Sequence, residues 1–232
     1  MIDNLPESRI KAYEKDWRFL IPVYLVFFFD YAVYYGLLYA VSTGKVAHTL
    51  PSFILYAICY AQPGAINATI GHELFHRKQK IHKIFGTLSY SKMLYSHFYI
   101  QHLRSHHKWV STPLDPSTSR FNESLYAFYL RTIPAGFKET WKIESERLER
   151  EGKSQFSIEN RMISFTLLHA LYLGVIYSIF GGFTVLFHLA YSFVIVCMLE
   201  AINYLEHYGL QRKIDANGNY ESVNIQHSWN AP

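Results

Sequence analysis

Charge is scarce in this sequence. Only 17% of its 232 residues are Asp, Glu, Lys or Arg, against about a quarter in an ordinary soluble domain. The formal net charge is +4, too little to mark a nucleic-acid partner, and none is expected. Cysteine is nearly absent: Cys59 and Cys197 both sit in apolar runs, which excludes a disulfide framework. No short apolar core with a small-residue cleavage site stands near the start, so no signal peptide is read there. What the chain has instead is apolar bulk. Half of it is hydrophobic, with 19 Tyr and 17 Phe, as expected where aromatic belts meet lipid headgroups. It also carries 12 His, the real anomaly.

The apolar residues fall into runs long enough to span a bilayer. The first covers 19–41 and is interrupted by Asp30, for which a functional role and a paired contact inside a bundle are equally good readings. After a turn at 42–49 containing only Lys45 as a cation, Pro51 opens a second run at 50–70, with a kink predicted at Pro63 and Gly64. A third stretch, 162–201, is divided by Gly181 and Gly182 and predicts a second hairpin. His169 and His188 within it read as packing histidines. Between the hairpins lies a long loop, 71–161, holding 15 of the 22 Lys and Arg from Arg77 onward. There, 84–100 fits a surface-lying or re-entrant helix, and 112–116 a turn. Residues 123–150 predict a helix broken at Pro134, whose charge-alternating end from Lys138 reads as a solvated face.

The fold class is therefore all-α: an integral membrane helical bundle of four transmembrane helices, as two hairpins with a His-rich cap. The N-terminal stretch, the loop and the tail carry 21 of the 22 cations. The positive-inside rule then places the histidine clusters and both termini in the cytoplasm, at the inner membrane if the source is a bacterium.

The histidines are clustered. His72 and His76, in GHELFHR, lie four apart, so a helix puts both imidazoles on one face. His102 and His106 repeat that spacing, His107 follows, and Glu206-His207 comes far downstream. His-Glu-Leu-Phe-His also satisfies HExxH, which on a helix supplies two zinc ligands and a glutamate base for a membrane zinc protease. That reading leaves His102, His106 and His107 without a role. Two metals are the natural alternative, since neutral imidazole suits iron, zinc and copper. Glu73 and Glu206 each sit one residue from a histidine, about 100° around a helix, and so read as supporting neighbours rather than ligands.

GHELFHR, HLRSHHKWVSTPLDPSTSRF, NYLEHYGLQR and the final HSWN together resemble the integral-membrane alkane 1-monooxygenases, non-haem di-iron hydroxylases of the fatty-acid desaturase/hydroxylase superfamily. The resemblance runs from about residue 19 to the end, and the NYLEHYG stretch is its most specific part. It implies that His72, His76, His102, His106, His107 and His207 bind metal, six of nine histidines that hold two iron ions in that family. No catalytic side chain is expected beyond the metal centre. Glu73, Gln101, Asn203 and Glu206 are expected to support the ligands; Gln101 stands where the family usually has Glu, and Ser105 where Gly is common. His97 and His227 fall outside the ligand boxes. The family's last box, with three further histidines, is expected beyond Pro232, and two further spans ahead of residue 19. Residues 1–232 thus resemble a single membrane-embedded di-iron domain incomplete at both ends, either part of an active hydroxylase or an inactive fragment. The resemblance implies O2-dependent hydroxylation of the terminal methyl of an alkane, with rubredoxin as electron donor. The alternative within the superfamily is a desaturase or hydroxylase of acyl chains.

Overall fold

A computed structural model describes residues 16–229. The basic stretch with Arg9, Lys11 and Lys15, and the last three residues, lie outside the described part. No strand occurs among the described residues, only an isolated bridge between Ile214 and Tyr220. Helix α1 is Leu20–Ser42, α2 Leu50–His76, α3 Lys80–Lys92 and α4 Phe98–Gln101. The last continues without a break through a π-helical segment, His102–His106, into a final turn, His107–Trp109. Then come α5 (Leu125–Arg150), α6 (Arg161–Phe180) and α7 (Gly182–His207).

Four of these helices are long and apolar enough to cross a membrane: Trp17–Ser42, Leu50–His76, Arg161–Phe180 and Gly182–His207. They form the two predicted hairpins. Thr49 and Ser52 close the start of α2 with a capping box, and Pro51 occupies the first turn, where its missing N–H costs nothing. Gly181, at φ +81° and ψ 170°, joins α6 to α7 in a conformation that is essentially reserved for glycine. Helix α2 turns small residues inward, Ala57, Ala61, Gly64 and Ala68. Ile195 and Tyr191 of α7 press against Gly64 so closely that a methyl group would clash with both. Close approach over small residues is how helices associate where no hydrophobic drive separates protein from lipid. The outward faces are apolar, with Leu25, Phe29, Leu55, Leu171, Tyr177 and Phe193 exposed, as a lipid-facing surface requires.

The stretch at 84–100 is re-entrant rather than surface-lying, and it is not one helix. His82 bonds Tyr24 near the start of α1. Ten residues on, Lys92 reaches Asp30, deeper in the bundle. The chain reverses at Leu94, which has φ +58°, and α4 climbs back toward the histidines. Met93, Tyr95, Ser96 and His97 are all buried, so this irregular backbone is enclosed by protein, the condition for placing it at membrane depth. Gly86 makes the descent close: a Cβ there would lie 2.8 Å from the Gly71 carbonyl oxygen.

One helix prediction needs correction: Pro63 and Pro134 both lie inside continuous helices, so the chain is not broken at Pro134. Each removes a hydrogen bond at a cost of about 3 kcal/mol, but α5 is pinned on both sides of Pro134. Arg131 binds Glu123 and the carbonyls of Pro116 and Thr118, and Glu139 accepts from Ser105. Nor is the last part of α5 simply solvated. Glu144 is fully buried and bound by Arg147 and Arg161. His169 and His188 are packing histidines as predicted, bonded to Ser96 and Tyr34.

Asp30 is paired. Its carboxylate accepts from Lys92 and Asn67, and the Lys92 ammonium faces the rings of Tyr31, Tyr34 and Tyr191 at 5.1–5.9 Å. Removing one member of a buried ion pair costs about 3–5 kcal/mol, whereas replacing both costs far less. Lys92→Met should therefore sharply lower the thermal unfolding temperature of detergent-purified protein. The double variant Asp30→Asn/Lys92→Met should recover most of the loss.

Candidate metal centre

Helix α2 carries its first two histidines because it runs on beyond its apolar stretch. His72 and His76, one turn apart, have ring centroids 4.9 Å apart and Nε2 atoms 3.4 Å apart. Opposite them stands the π-helical segment. There the backbone N–H of His107 donates to the carbonyl of His102, an i→i+5 bond that widens the turn. The widening brings His107 beside His102, their Nε2 atoms 2.9 Å apart, while His106 points to another neighbour.

Four imidazoles converge as a result. His102 Nε2 lies 2.6 Å from His72 Nε2, and one ring nitrogen from each of His72, His76, His102 and His107 falls within 4.8 Å of the others. Burial, reinforced by the neighbouring histidines, lowers the pKa of His102. The same causes lower His107 to about 4. Both rings are therefore neutral at pH 7, with lone pairs available. A neutral imidazole donates from one nitrogen only, so four nitrogens facing one point are poorly satisfied by hydrogen bonds among themselves. His102 Nδ1 is buried without a partner among the described residues. A cation bonded to imidazole at about 2.0–2.1 Å holds its ligand nitrogens roughly 3–4 Å apart; the 3.4 Å between His72 and His76 matches this, and the 2.6 and 2.9 Å contacts of His102 are shorter. The donor set fits a transition metal.

His106 and His207 form a second group, ring centroids 5.0 Å apart. Each is held through Nδ1, leaving Nε2 free. His106 Nδ1 donates to Asp115 Oδ2 at 2.9 Å, and His207 Nδ1 to the His227 carbonyl at 3.0 Å. Thr118 Oγ1 and the Ser117 N–H in turn donate to Asp115 at 2.7 and 3.0 Å. Burial opposes charge on His106, but the Asp115 carboxylate outweighs it and raises the pKa. Burial likewise opposes charge on Asp115, yet the His106 contact and the hydrogen bonds hold its pKa down. Fixing one ring nitrogen to orient the other is how metal-binding histidines are commonly aimed.

His72, His102 and His107 of the first group and both members of the second line one cavity of about 400 Å³. Its remaining wall is largely apolar, built by Phe98, Val110, Leu199 and Ile202. Six histidines, counting His227, share this lining with those apolar side chains.

The expected supporting residues are placed differently. Glu73 turns to Arg77, at 2.8 Å, and its carboxylate is half exposed, away from the position a protease base would need. Gln101 donates to Ser117 rather than to a histidine. Asn203 donates to Glu200 at 3.2 Å, and Glu206 accepts from Ser228 at 3.0 Å; both line the cavity. The groups that touch histidines are Asp115 and the His227 carbonyl, neither singled out by sequence. Asp115 carried one signal, an acid nine residues after His106 in a turn between prolines. Glu200 was also missed: it is buried in α7 and receives Tyr95 Oη at 2.9 Å.

The site is thus a cluster of histidines at one cavity of a bundle with four helices long and apolar enough to cross a membrane, and the comparisons place the chain in a family. The family model described as fatty acid desaturase matches residues 45–232; the chain belongs to that family. It is 34% identical over 231 residues to alkane 1-monooxygenase 1 of Alcanivorax borkumensis, covering 98% of this chain and 56% of the relative. Alkane 1-monooxygenase of Acinetobacter baylyi is 36% identical, covering 80% of this chain and 46% of the relative. The xylene/toluene monooxygenase hydroxylase component XylM of Pseudomonas putida is 27% identical, covering 84% and 53%. The chain spans about half the length of these relatives.

The depressed pKa values give a pH signature. An unfolded histidine titrates near 6.5, so below that pH the unfolded chain takes up protons that folded His102 and His107 refuse. Stability of the metal-free chain should fall as pH drops from 6.5 toward 4, with His106 contributing in the opposite sense. In melts at stepped pH, His107→Asn should flatten this decline.

Proposed function

We propose that the chain forms the metal-binding core of a non-haem di-iron monooxygenase that hydroxylates the terminal methyl of alkanes. The observation that carries this reading is the convergence of His72, His76, His102 and His107 at the edge of an apolar cavity. Similarity to alkane 1-monooxygenases over most of the chain supports the substrate class. His72, His76, His102 and His107 would hold one iron, and His106 with His207 would provide ligands to the second. When bound, iron supplies the dioxygen and electron-transfer chemistry that no side chain has. The balance is one alkane, one O2, two electrons and two protons in, one alcohol and one water out.

The chain's own residues do the rest. Phe98, Val110, Leu199 and Ile202 bind hydrocarbon and exclude water from the side of the cavity facing the histidines. Asp115 holds a proton on His106 Nδ1, fixing the tautomer that leaves Nε2 free, and the His227 carbonyl does the same for His207. Alkanes partition into lipid, so the four spans bring the cavity to the phase in which the substrate dissolves. The excess of cations on the histidine side supports a cytoplasmic orientation. A rubredoxin-type protein is the electron donor that fits this reading.

Metal analysis of the purified chain tests it first. Iron should be present at about one to two atoms per chain, and His102→Ala should abolish most of it while the protein still elutes as a folded species. Asp115→Ala should weaken retention by about 10–100-fold, the usual effect of removing a group that orients a ligand. Zinc in place of iron, or well under one metal per chain, would sink the di-iron reading. For the full-length protein in membranes with a reducing partner, gas chromatography should find 1-alkanols from alkanes. Products from fatty acids alone would assign acyl chains as the substrate instead.

A further inference from the structure

The first half of α5 turns an apolar stripe away from the protein. Tyr126 and Leu130 are 78% and 81% exposed, and Phe137 is 45% exposed. Pro134 is exposed between them, and Ile133 and Trp141 are half-buried on the same side. The spacing, 126, 130, 133/134, 137 and 141, is that of one helix face. The exposed i, i+4 row that carries Tyr126, Leu130 and Pro134 turns polar at Lys138 and stays exposed through Lys142, Glu146 and Arg150. In water, so long a run of aromatic and aliphatic groups is a liability.

The contacts of the opposite face set its depth. Phe128 packs on Tyr204 of α7 with centroids 5.4 Å apart, and Tyr204 Oη donates to the Glu123 carbonyl just before α5. Phe137, at the edge of the stripe itself, also meets His97 of the re-entrant turn, centroids 5.4 Å apart. Toward its other end, α5 is tied by Glu144 to Arg161, the first residue of α6. The helix therefore crosses the α6–α7 hairpin at the histidine end, its first half level with the last turns of the spans. Its stripe continues the outward surface of α7, where Leu205 is exposed, and of the approach to α6, where Phe156 and Ile158 are exposed. Trp141 and Phe156 approach each other at 6.5 Å, where the stripe gives way to charge.

We propose that the first half of α5 is an interfacial helix whose Tyr126–Leu130–Phe137 stripe lies in the headgroup–acyl boundary of the leaflet on the histidine side. A helix with one apolar and one polar side embeds in this way. Its other face braces the second histidine cluster: Gly136 sits against Gln101, and Glu139 accepts from Ser105. The lipid surface thereby supports the segment that aims His102, His106 and His107.

Spin-label accessibility in lipid nanodiscs tests the placement. In a Cys59→Ala/Cys197→Ala background, labels at Tyr126→Cys, Leu130→Cys and Phe137→Cys should collide with oxygen severalfold more than with a water-soluble nickel chelate. Labels at Lys142→Cys and Glu146→Cys should show the reverse. Nickel collisions at the stripe matching those at Glu146 would put it in water and overturn the proposal. Shielding from both reagents would mean that protein, including a second copy of the chain, covers it, which also overturns it. The unmodified protein offers a second reading: a hydrophobic diazirine dissolved in the lipid should label peptides containing Tyr126 and Leu130. Absence of that label would overturn the proposal whether or not the cysteine-free variant folds.

Discussion

The ion pair of Asp30 with Lys92 is the contact on which the rest of the structure depends. A charge in the interior of a membrane bundle must be matched within the protein, because neither lipid nor water is at hand to solvate it. Here the match joins elements far apart in sequence: Asp30 on α1, Asn67 on α2 and Lys92 at the foot of α3. Ser89, one turn before Lys92, donates to the other side of Asn67. The pair thus fixes the lowest point of the re-entrant segment against two spans. From there the chain has only the buried turn at 93–97 before α4 returns toward the histidines. Tyr95 to Glu200 and Ser96 to His169 tie that turn to α7 and α6. The second histidine cluster is therefore mounted on all four spans, and not on a loop.

That mounting explains how neutral histidines can be held so close together. Four imidazoles around one point would repel if protonated, and burial keeps at least His102 and His107 neutral. His106, by contrast, is oriented by a carboxylate, with Asp115 itself fixed by Thr118 and Ser117. Two electrostatic environments coexist within six residues of chain. One favours bare lone pairs, and the other a hydrogen-bonded ring aimed by its partner.

The spans were legible because bilayer thickness sets a minimum run of apolar residues, and each of the four runs meets it. The histidine clusters were legible for a similar reason, since His72 and His76, one helical turn apart within an apolar helical run, share a face. The partition of the second cluster was not legible. A four-residue spacing pairs His102 with His106 under α-helical periodicity, whereas the π-helical segment pairs His102 with His107. Nothing in HLRSHH announces the wider turn, because it depends on tertiary contacts made by Ser105 and Asp115. Pro134 misled in the opposite direction. Its local preference to break α5 is outweighed by Arg131 and Glu139, whose partners lie 8 to 34 residues away in sequence. The pairing of Asp30 was equally hidden, since Lys92 sits in a segment whose descent into the bundle is set by packing at Gly71 and Gly86.

The π-helical turn has a physical rationale in the two groups it separates. On a regular helix, His102, His106 and His107 would leave the axis so that the first two share a face and the third stands well to one side. One more residue in the turn swings His107 over His102 and leaves His106 beside His207. A single short segment can then serve two positions in one cavity, with no second helix needed to bring the extra imidazole. Such a turn has poorer backbone hydrogen bonding than an α-helix, so it persists only where neighbours hold it. Glu139 holds Ser105 on one side and Asp115 holds His106 on the other. Those two acids lie on different elements, α5 and the turn after the π segment. The register of the histidines thus depends on how the cap is clasped against the spans, and the same clasp carries the apolar stripe of α5 to the membrane surface.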